Sequence, residues 1–489
     1  MTAVRQPTPL RPESAGSAWR PPSRWLRALG AVAFAAALIV YFWYAATHPS
    51  SLWIDPVDLR VYTNGGLIVR HVTPLYHSHL SAPLYGRAVG GGLKFTYPPF
   101  AAMVFTILSL LSFSLLAKIA VLANIAALLV TIWMTFGGLG YRPGVARVGA
   151  TLLVAAALFW TEPVQRTLWL GQVELVLMAL IVWDQCQPDR RWWKGAGIGI
   201  AAGIKLVPLI FIPYLLLTRR FRQAAVASGV FAATVLLGFA ALPRDSTKWW
   251  LGGLFLQGGR TGFVGWEGNQ SLQAIITRLM GSIAGARPLW LVAAAVTAAA
   301  GLACAAILDR AGHRMAGLMA CALTGLLVSP ISWDHHWVWI VPATAVAAHY
   351  AIRSRHAAAA WAAAGLAAGI VAVFGAWPGS LWGEPNDLGN FSEGLIWAPP
   401  NTPPTTYYRY GDRPWYAEYH WRGLDLLTGN IYILTGMALF VILLVVAARA
   451  ARAMAQAPAL SPERRTWPGR AAAARRPLGR PGRRAPSAR

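Results

Sequence analysis

The stretch LLAKIAVLANIAALLVTIWMTFG, Leu115–Gly137, carries a single charge, Lys118, and is long enough to cross a bilayer as one helix. Apolar runs of the same kind recur near residues 28–46, 98–112, 147–160, 171–184, 195–217, 224–242, 288–308, 315–330, 337–352, 357–377 and 429–448. Their recurrence predicts an all-α polytopic membrane protein, with about 11–13 transmembrane or re-entrant helices.

Composition points the same way. The chain of 489 residues is 56% hydrophobic and only 12% charged, whereas a soluble domain is roughly 25% charged. The first run, Ala28–Ala46, is long for a signal peptide and has no small-residue cleavage site after it, so it reads as a retained helix. Much of the net charge of +25 sits in the terminal tails and in short loops between apolar runs. That is the distribution of the positive-inside rule, with the tails facing anionic lipid. The basic tails lack interleaved aromatics and any recognition motif, so membrane lipids are the expected partner and nucleic acid is not. Cys186, Cys304 and Cys321 have no CxxC spacing and read as small core residues.

Three parts follow from this pattern. Residues 1–24 are Pro/Ser/Arg-rich and read as a disordered cytoplasmic tail, residues 25–454 as the membrane domain, and residues 455–489 as a disordered basic cytoplasmic tail. Arg142, Arg147, Arg190, Arg191, Lys194, Arg219, Arg220, Arg222, Arg310, Arg314, Arg353 and Arg355 orient the loops that hold them toward the cytoplasm. Loops 47–97, 243–287 and 378–428 then lie outside, with the short segments 161–170 and 331–336. Two places strain this count. The run 195–217 is basic at both ends, so it should enter and return on one side, with GIKLVP (203–208) as its apex and Pro208 breaking the ladder. Segment 98–137 holds two apolar runs where the charges ask for an odd number of crossings.

Unusual polar residues collect on the outer side. In WIDPVDLRVYTNG (53–65), Asp55 suits the N-cap of a short helix, with Pro56 in its first turn, whereas Asp58 is not needed as a cap. KFTYPPF (94–100) offers Tyr97, either an interfacial aromatic or a substrate contact. TEPVQRTLWLGQ (161–172) places Glu162, Arg166 and Gln172 in a short link, where Glu and Arg can lock the loop or touch substrate. Lys205, within an apolar run, is a functional-site candidate. WEGNQSLQAIITR (266–278) supplies Asn269, Gln270 and Ser271, which suit sugar hydroxyls and also cap helices. SPISWDHHWVW (329–339) supplies Asp334, His335 and His336. Adjacent histidines on a helix diverge, so the pair is read as a phosphate or substrate contact, and no metal or other cofactor is expected. Trp382, Trp397, Tyr407, Tyr408, Tyr410, Trp415, Tyr416 and Trp421 crowd the last outer loop, either as a sugar-stacking surface or as an interfacial belt.

In this order, VDLRVY, FTYPPFAA, EP…R…GQ, GIKLVP, NQSL and SPISWDHHWVW resemble the actinobacterial membrane mannosyltransferases of the GT-C class, over about residues 50–350. Within that class the resemblance is to the polyprenol-phosphate-mannose-dependent α-1,2-mannosyltransferases that extend phosphatidylinositol mannosides. It implies a GT-C-type helical fold in the plasma membrane with an extracytoplasmic active site. It also implies a polyprenyl-phosphate-mannose donor and a mannosylated glycolipid acceptor. Asp58 matches the family's catalytic aspartate, His335 and His336 its second essential site, and Lys205 the lysine of its KxxP segment. Asp334 and Glu174 depart from the pattern, standing where neutral residues are expected.

The implied reaction is a single inverting displacement, with Asp58 as general base and Lys205, Arg166 and a histidine of the pair stabilising the leaving phosphate. Tyr97, Glu162, Gln172, Asn269, Gln270 and Asp334 complete the expected substrate contacts. Two alternatives stay open from sequence: a pentosyl or arabinosyl transferase using a decaprenyl-phosphate sugar, and a lipid or polysaccharide transporter or flippase. A transporter would place its polar residues at the midplane of related broken helices, and no repeat is evident here.

Overall fold

A computed structural model describes residues 23–47, 56–71, 74–76, 93–377, 394–399, 408–410 and 413–456. The two tails expected to be disordered lie outside them except at their inner ends, as do Asp55, Trp382 and Tyr407.

The helices are α1 (Ser23–Thr47), α2 (Val57–Arg70), α3 (Pro99–Leu108), α4 (Phe113–Gly138), α5 (Val145–Phe159), α6 (Glu162–Leu170), α7 (Glu174–Cys186), α8 (Ala196–Ile204) and α9 (Phe211–Leu217). They continue as α10 (Phe221–Ala241), α11 (Pro243–Ser246), α12 (Leu272–Met280), α13 (Ile283–Arg310), α14 (Arg314–Val328), α15 (Ile340–Arg353), α16 (Ala357–Val373), α17 (Gly423–Thr428) and α18 (Ile431–Gln456). A short antiparallel ribbon, Tyr408–Tyr410 with Arg413–Trp415, is the one sheet among the described residues.

Five helices, α1, α4, α10, α13 and α18, are long and apolar enough to cross a membrane, and α6 with α7 forms a bent pair that passes the same test. Only 22–50% of the most apolar window of each long helix is buried. Their outward faces carry Leu236, Val292, Val296 and Val441, all exposed. A bare apolar face on a long helix is what lipid contact requires, so the fold is that of a multi-pass membrane protein.

The two strained places in the charge count have structural answers. Within 98–137, α4 is 26 residues long while α3 has only 10, too few to span a hydrocarbon core, so one crossing remains. In 195–217 the helix breaks at Lys205, whose backbone is extended (φ −143°, ψ 132°) between α8 and a 3-10 turn, Val207–Ile210. Both ends of that segment meet again. Arg222, just past its far end, donates to the carbonyls of Arg191 at 2.6 Å and Trp192 at 2.8 Å, just before its near end. The segment is therefore a hairpin with Lys205 at its tip.

One boundary was not expected. Segment 161–170, read as an outer link, is the helix α6, and all but one of its nine residues are buried. Gly171 ends it in the left-handed conformation (φ 68°, ψ 34°), and α7 leaves at 116° to it. The polar residues of α6 face the interior of the bundle, which is why hydropathy hides the helix.

Candidate active site

Pro56 opens α2, its carbonyl accepting from the Arg60 amide at 3.0 Å, and Asp58 falls in the first turn, where a carboxylate complements the helix dipole. Tyr62 lies one turn further along the same face. Two glycines bring this helix close to its neighbours. A Cβ on Gly66 would sit 2.3 Å from the Phe105 carbonyl oxygen of α3, and one on Gly171 would sit 2.7 Å from Leu59 Cβ. Gly171 is thus required both for its backbone conformation and for the approach of Gln172 to α2.

That approach creates a chain of hydrogen bonds. Gln172 Nε2 donates to Asp58 Oδ2 at 2.6 Å, and its Oε1 accepts from the Tyr62 hydroxyl. The Tyr62 and Tyr97 hydroxyls are 3.1 Å apart. Asn124 Nδ2 of α4 holds the Gln172 carbonyl at 3.0 Å. Burial raises the Asp58 pKa, against the opposing pull of His335, the Gln172 amide, Lys205 and Arg166.

Lys205, at the hairpin tip, forms an ion pair with Glu174 at the start of α7. Its Nζ is also 2.9 Å from His336 Nε2, and 5.9 Å from the centre of the Tyr97 ring. Glu174 Oε1 lies 3.4 Å from the same His336 nitrogen. Below this cluster a narrow crevice continues between α7, α9, α14 and the 3-10 turn Asp334–Trp339, lined by Leu177, Met178, Ile181, Phe211, Leu326 and Trp339.

The third group sits behind the histidines. Asp334 Oδ1 accepts from the His335 amide at 2.8 Å and lies 2.9 Å from His335 Nδ1, while Oδ2 is 3.1 Å from Arg166 Nε. Burial alone would raise the Asp334 pKa, but Arg166 and His335 outweigh it and hold the group at about 2. Burial lowers the His335 pKa, and Asp334 offsets this only in part. With Nδ1 engaged, His335 leaves Nε2 buried and without a hydrogen-bond partner. The Arg166 guanidinium is packed between the Trp169 and Trp397 rings, 4.7 and 4.8 Å from their centres. Glu162 accepts from Trp397 Nε1 at 3.2 Å and the Tyr432 hydroxyl at 3.1 Å, tying α18 to α6.

The expected residues therefore divide. Asp58, Tyr97, Gln172, Lys205, His335 and His336 converge, with Arg166, Asp334 and Glu162 as a buried layer behind them. Asn269 and Gln270 are brought near but spend their amides on backbone. Asn269 bonds the Val264 and Pro330 carbonyls and the Ser332 amide, and Gln270 bonds the Glu267 and Gly429 carbonyls and the Ile433 amide. Ser271 caps α12 through the Ala274 amide at 3.1 Å. Of the loop aromatics, Trp397 and Trp421 are buried, and Tyr416 stacks on Phe263 at 3.9 Å. All three cysteines are free, two of them buried.

Two residues enter the site that the sequence reading did not place there. Tyr62 is legible in hindsight from its i+4 spacing to Asp58. Glu174, noticed only as a departure from the resembled pattern, is the partner of Lys205. Glu174, His335 and His336 each offer a ligand atom, all within 4.8 Å of one another.

A multi-pass helical protein thus brings a part-buried aspartate and lysine and a histidine pair together above an apolar crevice. The glycosyltransferase family 87 profile matches residues 95–330. A Mycobacterium tuberculosis polyprenol-phosphate-mannose-dependent alpha-(1-2)-phosphatidylinositol pentamannoside mannosyltransferase is 38% identical over 289 residues, 58% of this chain and 64% of the relative. A Mycolicibacterium smegmatis protein of the same description is 36% identical over 288 residues, 58% of this chain and 68% of the relative. A second M. tuberculosis protein, a polyprenol-phosphate-mannose-dependent alpha-(1-2)-phosphatidylinositol mannoside mannosyltransferase, is 32% identical over 313 residues, 62% of this chain and 72% of the relative. The chain belongs to glycosyltransferase family 87. The match spans just under two thirds of the length of the first of these relatives. No solved structure matches the chain.

Proposed function

We propose that this protein transfers mannose from polyprenyl-phosphate-mannose to a mannosylated phosphatidylinositol glycolipid, forming an α-1,2 linkage with inversion. The observation that carries this reading is the Asp58 carboxylate, held by Gln172 at 2.6 Å within electrostatic reach of Lys205, His335 and Arg166. The names of the relatives supply the donor and acceptor classes.

In this mechanism Asp58 takes the proton of the acceptor 2-hydroxyl as its oxygen attacks the anomeric carbon of the donor. The bond from that carbon to the phosphate oxygen breaks, and polyprenyl phosphate leaves with the bonding pair. Lys205 meets the charge that grows on the phosphate, and His335 Nε2 is a further contact for phosphate or sugar. A raised pKa suits Asp58 to this task, because a more basic carboxylate accepts a proton more readily. The crevice lined by Leu177, Met178, Ile181 and Phe211 takes the first isoprene units of the donor, since it begins at Lys205 and His336 and continues among apolar side chains. The basic residues Lys194, Arg222 and Arg314 gather around Asp189, beyond the far end of α7. That helix is about 20 Å long at 1.5 Å per residue. By the positive-inside rule this supports a site on the extracytoplasmic face of the plasma membrane, and the reading keeps both termini in the cytoplasm.

The test is transfer by purified protein, given polyprenyl-phosphate-mannose and a panel of mannosylated lipid acceptors, with product mass and linkage read by mass spectrometry. A single added hexose in α-1,2 linkage is the expected product. Transfer only from a decaprenyl-phosphate pentose, or no transfer with either donor, would overturn the reading.

A further inference from the structure

Glu174, His335 and His336 form an arrangement that ordinarily holds a divalent ion: one carboxylate and two imidazoles, all buried, with ligand atoms within 4.8 Å of one another. Two of the three are already engaged. The Lys205 ammonium is bonded to Glu174 Oε1 and lies 2.9 Å from His336 Nε2. An ammonium donates and never accepts, so His336 Nε2 is the acceptor in that contact and carries no proton there. Two buried atoms of the same group remain without partners, Glu174 Oε2 and His335 Nε2.

We infer that Glu174 is a positioning residue which seats Lys205 in a latent metal site, so that the chain's own ammonium takes the place of a divalent cation opposite the donor phosphate. A lysine head is a compact charge on a flexible stem with three donors. Glu174 and His336 take two of them and fix the head. The third is left for a phosphate oxygen on the side where Tyr97 and Asp58 lie. The hairpin explains why the anchor is needed: Lys205 sits at an extended break between two short helices, so its backbone alone does not fix the position of Nζ. The role of Glu174 rests on the glycosyltransferase reading, whereas the occupancy of the metal-like site by Lys205 does not.

The experiment uses full-length purified protein and Co²⁺, whose visible absorption reports histidine and carboxylate ligation. Lys205→Ala removes the resident ammonium and should bind one Co²⁺ per chain at least tenfold more tightly than the unaltered protein. Adding Glu174→Gln to that variant should abolish the gain. Lys205→Ser replaces the alanine variant if the latter does not purify as a single species. Equal Co²⁺ affinity in the unaltered and Lys205→Ala proteins overturns the inference, as does undiminished binding by the double variant. In the transfer assay, Glu174→Gln and Lys205→Ala should be non-additive, the double variant falling within about threefold of Lys205→Ala alone. Losses that multiply would show Glu174 acting independently of Lys205 and overturn its positioning role. If the unaltered protein transfers no mannose, the proposed function fails and the Co²⁺ measurement still decides the occupancy.

Discussion

Gln172 reaches across 114 residues of sequence to donate to Asp58 at 2.6 Å, and the same amide accepts from Tyr62. The second bond makes the first one specific. With its oxygen engaged by a hydroxyl, the amide can only present N–H to the carboxylate, which fixes the orientation of Asp58. The Gln172 backbone is held in turn by Asn124, so the acid is positioned by α2, α4 and the α6–α7 corner together.

Asp58→Asn keeps the shape and the Gln172 contact but removes the carboxylate proposed as the base. Transfer should fall by about 10³-fold or more, at the upper part of the range for general-base removal, with the melting temperature unchanged within a few degrees. The intact enzyme also has a direction in pH. Only the carboxylate can accept a proton, and burial raises its pKa, so kcat/KM should rise with pH. The midpoint of that acid limb should lie above about 3.9, the value of an ordinary aspartate. A flat profile from pH 4 to pH 8 would be incompatible with Asp58 as the base.

Gln172→Glu tests the same contact from the other side. It places a second carboxylate beside Asp58, and like charges at this distance raise one pKa of the pair. The acid limb of kcat/KM should therefore move to higher pH by about one unit or more, with most activity restored at the alkaline end. Gln172→Ala should lower the rate and move the limb in the same direction but by less, because it removes the amide that pulls the Asp58 pKa down and adds no charge. The measurement is the pH profile of both variants beside the unaltered enzyme.

Helices facing lipid were legible because the bilayer demands long apolar runs, as in Leu115–Gly137, which the structure forms as Phe113–Gly138. The hairpin tip at Lys205 was legible too, from basic residues at both ends and Pro208 within. The helix α6 was not, since Glu162, Gln165 and Arg166 turn inward and erase its apolar signature. Asn269 and Gln270 show the limit on the site. An amide that hydrogen-bonds backbone and an amide that binds sugar are the same residue in a sequence, and only the positions of the Val264, Pro330 and Gly429 carbonyls tell them apart. Glu174 was visible as an unexpected acid, but its partner lies 31 residues away across a corner and a hairpin.

Gly66→Val should separate α2, which carries Asp58, from α3, which begins two residues after Tyr97. Even a Cβ there would lie 2.3 Å from the Phe105 carbonyl oxygen, and that atom belongs to backbone that cannot swing aside. Overpacking of this kind costs about 1–3 kcal/mol, and the strain falls on the α2–α3 contact that aligns the site. The expected outcome is a lower melting temperature together with a loss of transfer larger than that of Gly229→Val, whose Cβ would meet nothing within 4 Å. Thermal unfolding in detergent and initial rates on both variants make the comparison. Equal effects at the two positions would remove the case for α2–α3 contact as an alignment device.

Asp334→Asn should be the most destabilising single change in the layer behind the histidines. Asp334 and Arg166 are both buried, and the carboxylate serves Arg166 and His335 together. Removing one member of a buried pair leaves the other uncompensated, a loss of about 3–5 kcal/mol. The direction in pH follows from the depressed pKa. The folded protein holds this group at about 2, and an unfolded aspartate titrates near 3.9. Asp334 therefore stabilises the fold fully above about pH 4, and that contribution is lost as pH falls from there toward about 2. Detergent-solubilised protein should lose stability across that window, and Asp334→Asn should be less stable at pH 7 and show a flatter decline in the acid range. Leaving Arg166 in place while restoring the charge with Asp334→Glu should recover part of the stability, because the longer acid can still reach the guanidinium. No difference between the asparagine variant and the unaltered protein at pH 7 would mean that the Arg166–Asp334 pair contributes nothing to the fold.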